Sequence, residues 1–381
     1  MGAFVERLVL RLVTLRAQRR IGFLRPAEKA RREEVRLRLV VDRVGAVAFD
    51  AADALLFVDG AFPIVLLAFV AFDARGVGSG ALLLEECREE EGYQWANYSA
   101  TEIPLLESPA VKKLPKRKPD SHKGDYGRVL IVAGSPGMCG AAVLAGEAAY
   151  RSGAGLVYYS CPASVRDVIS IKQTCGVVWP FEEKRAAEQI LEHAARCDVA
   201  VIGPGLSKAE PISAALQEIV TRIEIPFVLD ADGLNAFESD PGALLRGKAA
   251  RILTPHPGEA SRLLRSKPEE IQADREGAAR QLAKRFLAVA VLKGHRTVVT
   301  DAKRIYVNKT GNPGMATGGT GDVLSGVIAA LLGQKLDPFD AACLGVHVHG
   351  RAGDLAARAL GQVSLMATDL LTHLPAAFRS A

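Results

Sequence analysis

From Gly127 onward, short apolar runs alternate with longer stretches of mixed residues. Arg128-Val129-Leu130-Ile131-Val132-Ala133 is the first such run, and Gly134-Ser135-Pro136-Gly137 ends it. A continuous apolar run of this length predicts a strand buried on both faces. The Ala-rich stretch from Gly140 to Ser152 predicts a helix, and Leu156 to Tyr159 a second strand. The rhythm repeats: strands at 198–203, 227–230, 251–254 and 288–292, with helices at 211–222 and 269–286. A turn and a further strand, 298–301, follow, and then an apolar helix from Val323 to Leu332. Alternation of this kind predicts an α/β fold, a doubly wound and mostly parallel sheet flanked by helices with right-handed crossovers. Ligands of such sheets bind beyond the carboxyl ends of the strands. The functional residues are therefore expected in the loops that follow strands.

Composition narrows the picture further. The 381 residues suit one large domain or two smaller ones. A formal charge of +5, from 48 basic and 43 acidic residues, is too small and too dispersed to point to nucleic acid. Six cysteines without a CxxC pair read as reduced thiols of a cytosol-like compartment, so a cytoplasmic protein is expected. The apolar run from Ala61 to Phe72 contains Pro63 and is too short to span a bilayer. Residues 1–105 lack the strand–helix rhythm and are expected to be a poorly defined N-terminal region; 106–381 are expected to form the main domain. The first 20 residues carry five arginines and one acid, which fits a transit peptide, a surface helix or an unreliable translation start. The proline-bearing basic stretch 108–125 reads as an exposed lead-in whose charges are solvated rather than bound to phosphate.

The loops after the strands hold the candidate chemistry. Gly134–Ala142 and Ile202-Gly203-Pro204-Gly205-Leu206 offer small residues that admit a ligand close to backbone N–H groups, or simply make tight turns. Asp230 and Asp232 could hold magnesium through water, or one of them could cap the next helix; the reading taken is Asp230 facing the site and Asp232 as a cap or structural residue. In Thr254-Pro255-His256-Pro257-Gly258-Glu259 the prolines fix His256 at a strand end; Glu259 suits a helix start on dipole grounds alone. Lys293 and the backbone of the turn after it could meet nucleotide phosphates, or form a plain hairpin. The strongest signal is Gly318-Gly319-Thr320-Gly321-Asp322. Its N–H groups can form an anion-binding nest, and the helix that follows aims its positive end at the same point. Asp322 could cap that helix, or take a proton from a hydroxyl while the nest holds a phosphoryl group. No Walker A loop and no GxGxxG is present.

Taken together these segments resemble one family. GGTGD before an apolar helix is similar to the anion hole and catalytic aspartate of the ribokinase-like superfamily. HKGDYGRVLIVAGS (122–135), GAAVLAGEAAYRSGAGLV (140–157), IGPGL (202–206), DADGLNAF (230–237), TPHPGEASRLL (254–264), KGHRT (293–297) and NPGMATGGTGDVLSGVIAALL (312–332) resemble, in order, the ADP-dependent NAD(P)H-hydrate dehydratases. The likeness covers roughly residues 110 to 381. It implies removal of water from the S epimer of hydrated NADH or NADPH, driven by phosphorylation of the ring hydroxyl with ADP or ATP. It further implies that Asp322 activates that hydroxyl and that the backbone of Gly319, Thr320 and Gly321 holds the phosphoryl group. Lys293, Gly294, His295, Arg296, Thr297 and Gly321 would bind the adenine nucleotide. Ala141, Gly205 and His256, with Asp322, would line the hydrated-dinucleotide site. Magnesium (Mg2+) would arrive with the nucleotide, with no metal ligand assigned to the protein. The resemblance also implies a homo-oligomer, a tetramer.

Full-length relatives often carry an epimerase domain ahead of the dehydratase. Residues 1–105 do not show its pattern; they are read as truncated, divergent or mistranslated, and no epimerase activity is assigned to them. The competing readings are a ribokinase-like kinase of hydroxyethylthiazole or hydroxymethylpyrimidine, and a non-catalytic nucleotide-binding regulator. GGTGD alone does not separate the kinase from the dehydratase; TPHPGE and KGHRT favour the dehydratase.

Overall fold

The computed structural model describes residues 114 and 116–380, together with five short strands nearer the N-terminus. The chain divides into two units, Met1–Ser99 and Ala100–Ala381. In the first, Leu39–Val41 pairs antiparallel with Val47–Phe49, while Leu55–Phe57, Pro63–Phe69 and Leu83–Cys87 form a second antiparallel sheet. The apolar run around Pro63 thus contains a strand. The arginine-bearing start lies outside the described residues.

The second unit is built on a nine-stranded sheet. Its strands are β1 (Arg128–Val132), β2 (Leu156–Pro162), β3 (Val177–Phe181), β4 (Val199–Ile202), β5 (Phe227–Leu229), β6 (Arg251–Leu253), β7 (Val289–Leu292), β8 (Val298–Thr300) and β9 (Ile305–Val307). The order across the sheet is β9-β8-β7-β6-β5-β4-β1-β2-β3. The seven strands from β3 to β7 are parallel, and β8 and β9 add an antiparallel edge. Along β1 the side chains alternate between two cores: Val129 and Ile131 enter one, Leu130 and Val132 the other. All four are fully buried, which is why the strand appears as an unbroken apolar run.

Helices cover both faces. One face carries α1 (Cys139–Arg151), α2 (Arg166–Lys172), α9 (Thr320–Gly333), α10 (Pro338–Leu360) and α11 (Ala367–Arg379). The other carries α3 (Ala186–Ala194), α4 (Glu210–Arg222), the short α5 (Asp232–Asn235), α6 (Pro257–Leu264), α7 (Pro268–Ala273) and α8 (Arg275–Phe286). Among the described residues no helix is long and apolar enough to cross a membrane. The fold class is the expected one. The single helix expected over 269–286 is two: Asp274 breaks it with a non-helical backbone, φ -137° and ψ 79°, and its side chain accepts a hydrogen bond from Gly277 N to cap the second. The basic lead-in is anchored where it is described. The Arg117 guanidinium sits 3.8 Å from the centre of the Tyr126 ring, and its Nη2 donates to Gly153 O at 2.7 Å.

Candidate active site at the carboxyl edge of the sheet

The chain leaves β1 toward β2 and β3, then returns to place β4 on the other side of β1. Crossovers diverge there, and the loops after β1 and β4 bound the crevice that opens. The two loops are joined: Gly134 N donates to Pro204 O at 2.9 Å. Gly205 has φ +62°, and a Cβ there would lie 3.0 Å from Ala141 Cβ and 2.9 Å from Met138 O. Ala141, in the first turn of α1, is therefore brought against Gly205. Gly203, at φ +125°, passes so close to the β5 loop that a Cβ would lie 1.9 Å from Asp230 O.

The next loops bring charge to the same edge. Asp230 follows β5 and is 1% exposed. Its Oδ1 lies 2.5 Å from Lys293 Nζ, and its Oδ2 accepts a hydrogen bond from Ser325 Oγ at 2.7 Å. Lys293 follows β7, and Nζ is also 3.9 Å from Glu259 Oε2. Burial works against the ammonium charge, but Asp230 and Glu259 outweigh it and hold the lysine above its usual pKa. Asp232 turns elsewhere: it accepts from Ser207 N at 2.9 Å and from Asn235 Nδ2 at 3.1 Å. Asp230 thus faces the lysine and α9, while Asp232 serves the loop after β4 and the short α5. Among the described residues no group of three or more His, Cys, Asp or Glu could hold a metal ion.

Gly319 precedes α9 in the left-handed region, φ +92°, and no side chain caps the helix. The first bond of the ladder runs from Val323 N to Gly319 O, 3.1 Å, so the N–H groups of Thr320, Gly321 and Asp322 precede it. Thr320 Oγ1 donates back to Met315 O and Thr317 O at 3.1 and 3.0 Å, leaving its backbone as its contribution to the site. A Cβ at Gly321 would lie 3.5 Å from Lys293 Nζ and 3.9 Å from Asp230 Oδ2. The start of the helix, the ammonium and the carboxylate are therefore neighbours. Asp322 is not a helix cap. Burial, and next the negative charge of Asp230, push its carboxyl up to about 7, with Lys293 pulling the other way. A carboxyl group poised there can exchange a proton near neutral pH.

His256 has a structural task at this edge. It is the N-cap of α6, and its Nδ1 accepts from Gly258 N at 3.0 Å and Glu259 N at 3.3 Å. Glu259 returns the bond by accepting from His256 N at 2.8 Å. With Nδ1 accepting, the ring hydrogen lies on Nε2. Burial, with help from Lys293 and Arg262, holds the imidazole below its usual pKa against the pull of Glu259. In the 293–297 turn, Gly294, His295 and Arg296 are exposed, and Gly294 (φ +137°) and Arg296 (φ +56°) have positive φ. Thr297 Oγ1 closes the turn on Gly294 O at 3.0 Å. Lys293 differs from its neighbours in pointing inward to the carboxylates. Nothing along the chain singled out Ser325, and Glu259 promised only a dipole role; the structure attaches both to the Asp230–Lys293 pair.

The family model Carb_kinase, described as NAD(P)H-hydrate dehydratase, matches residues 129–376. The bifunctional NAD(P)H-hydrate repair enzyme Nnr of Moorella thermoacetica is 45% identical over 276 residues, 70% of this chain and 52% of that protein. The chain thus spans about half the length of the bifunctional relatives it matches. The ADP-dependent (S)-NAD(P)H-hydrate dehydratase of Neisseria meningitidis serogroup B is 41% identical over 249 residues, 64% of this chain and 82% of that one. Among solved structures, the ADP/ATP-dependent NAD(P)H-hydrate dehydratase of Bacillus subtilis, co-crystallised with ATP and Mg2+, superposes with TM-score 0.63 at 33% identity, covering 74% of this chain and 99% of that one.

Proposed function

The chain belongs to the NAD(P)H-hydrate dehydratase family, and on that premise we propose that it dehydrates the S epimer of hydrated NADH or NADPH, with ADP or ATP as phosphoryl donor. The observation that carries this reading is the place of Asp322: an uncapped helix start, beside the Asp230–Lys293 pair, with its carboxyl raised to about 7. The names of the relatives support the dehydratase over a vitamin-precursor kinase.

The chemistry follows from the groups present. Hydroxide leaves poorly, so the ring hydroxyl is first phosphorylated. Asp322 takes the hydroxyl proton while that oxygen bonds to the terminal phosphorus and the bond to the departing nucleotide breaks. The N–H groups of Thr320 and Gly321 and the positive end of α9 receive the phosphoryl oxygens. Lys293, held by Asp230 and Glu259, keeps a positive charge at the edge of that cradle. Magnesium bound with the nucleotide supplies further charge neutralisation. The ring nitrogen's lone pair then expels phosphate, and loss of a ring proton restores the reduced nicotinamide. Ala141, Gly205 and His256 shape the hydrated-dinucleotide side, and the 293–297 turn the nucleotide side.

In this reading residues 106–381 are the dehydratase domain and 1–105 a separate N-terminal region. The enzyme is cytoplasmic and homo-oligomeric. The compartment is supported by five free cysteines among the described residues. Self-association is supported by exposed apolar side chains on α2, Val168 and Ile171, and on the edge strand β3, Val177. The test is incubation with hydrated NADH and either ADP or ATP, following the reduced-nicotinamide absorbance and phosphate release. No recovery, with phosphorylation of hydroxyethylthiazole instead, overturns the reading.

A further inference from the structure

α10 runs behind the glycine-rich loop and braces it. Gly350 and Gly353 permit the approach: a Cβ at the first would lie 2.3 Å from Thr310 Oγ1, and one at the second 2.2 Å from Met315 Sδ. Just beyond, the Asp354 carboxylate accepts from Gly311 N at 3.0 Å and Asn312 Nδ2 at 3.1 Å. From the same helix, His349 Nε2 reaches Thr320 O at 2.9 Å. A carbonyl oxygen only accepts, so Nε2 carries the hydrogen and donates it. Burial holds this imidazole down to about 4, although the bond to Thr320 pulls the other way, so the ring is neutral at physiological pH.

Thr320 O and Gly321 N–H belong to one planar peptide group. A hydrogen bond to the carbonyl of an amide draws electron density toward oxygen and makes the N–H of the same group a stronger donor. We propose that His349 is a positioning residue of the phosphoryl site: its Nε2–H fixes the Thr320–Gly321 peptide plane and strengthens Gly321 N–H as a donor to the anion. This rests on the reading that the Gly319–Gly321 backbone holds the phosphoryl group. His349 itself need not touch the substrate. Its effect passes through one peptide bond.

The test has two arms on the full chain. In wild-type protein labelled at histidine nitrogen, long-range nitrogen–proton correlation must show His349 with its hydrogen on Nε2; a bare Nε2 overturns the proposal without any variant. In the second arm, His349→Leu is expected to lower kcat about tenfold, a part of what losing a whole oxyanion donor costs, with ADP affinity within about threefold. The Gly321 amide nitrogen should move upfield in that variant. His349→Gln, which keeps an N–H donor, should recover most of both. A folded His349→Leu protein with wild-type kcat and an unmoved Gly321 resonance overturns the proposal, whatever its melting temperature. Should wild type itself fail to turn over hydrated NADH, the functional reading falls. The tautomer, and the Gly321 shift on adding inorganic phosphate to wild type and His349→Leu, then still decide the role of His349.

Discussion

Lys293 Nζ and Asp230 Oδ1 meet at 2.5 Å across 63 residues of chain, joining the ends of β7 and β5 beside the start of α9. Asp230 is held from the other side by Ser325 Oγ, on α9 itself. The pair therefore ties the floor of the cradle to its wall. It also sets the field at Asp322, whose carboxyl is raised by burial first and by Asp230 next, and lowered by Lys293.

A base must be deprotonated to act, so kcat/KM, which reports the free enzyme, should rise with pH through the pKa of Asp322, with a midpoint near 7. Asp230→Asn removes the stronger like charge acting on Asp322 and frees Lys293 from its ion-pair partner Asp230. Both changes favour the carboxylate. The acid limb should then move down by about one pH unit or more, a usual size for losing a neighbouring like charge. A pH–rate profile of the variant that overlays the wild type would dissociate the pair from Asp322.

Gly319 and Gly321 should respond differently to alanine. Gly319 has φ +92°, and its Cβ would press to 2.6 Å from Leu144 Cδ1, so Gly319→Ala should cost about 1–3 kcal/mol of stability. Gly321 is helical, and its Cβ would find only ordinary contacts, Lys293 Nζ at 3.5 Å and Asp230 Oδ2 at 3.9 Å. Its methyl group would instead stand at the site proposed for the phosphoryl group. Gly321→Ala should keep the melting temperature and lose turnover. Thermal melts alongside kcat for both variants check the contrast; an active Gly321→Ala enzyme would remove Gly321 from the phosphoryl site.

The fold was largely legible because its strands are buried on both faces and so appear as plain apolar runs, as at 128–132 and 289–292. The elements that escaped lack that signature. β3 is a part-exposed edge strand carrying Trp179-Pro180, and β9 is three residues long. α10 holds Gly345, Gly350 and Gly353, residues that locally signal turns; here they admit Ile328, Thr310 and Met315. The candidate site was legible as loops, because small residues cluster there for backbone access. Which side chains pair was not. Asp230 with Lys293, and His349 with Thr320, are set by how distant elements pack, and periodicity along the chain carries no record of that.

Asp322→Asn separates chemistry from binding. Loss of a positioned general base should lower kcat by about 10²–10⁴ while ADP affinity survives. The same substitution should stabilise the protein above neutral pH. The native carboxyl keeps its proton up to about pH 7, whereas in the unfolded chain it loses it near the ordinary value of 3.8. Between these values the native state binds more protons, so this group's contribution to stability falls as pH rises. The amide does not titrate, so the variant escapes that fall. Melting temperatures of wild type and variant should coincide near pH 4 and separate in favour of the variant by pH 8. Equal turnover in the two proteins would sink the catalytic role of Asp322.

His256 is the remaining position where two tasks overlap, since capping α6 and lining the dinucleotide site both explain it. His256→Ala removes the acceptor for Gly258 N and Glu259 N and should cost about 1 kcal/mol of stability. His256→Asn restores a good N-cap, so its melting temperature should return toward wild type. Asparagine is shorter and lacks the half-exposed ring that carries the Nε2 hydrogen. If that edge contacts the hydrated dinucleotide, KM for it should stay raised in His256→Asn by about two- to tenfold, the worth of one hydrogen bond. KM for ADP should not change. The decisive measurement is the pair of KM values in a variant whose stability is already restored: if both match wild type, His256 is a cap and nothing more.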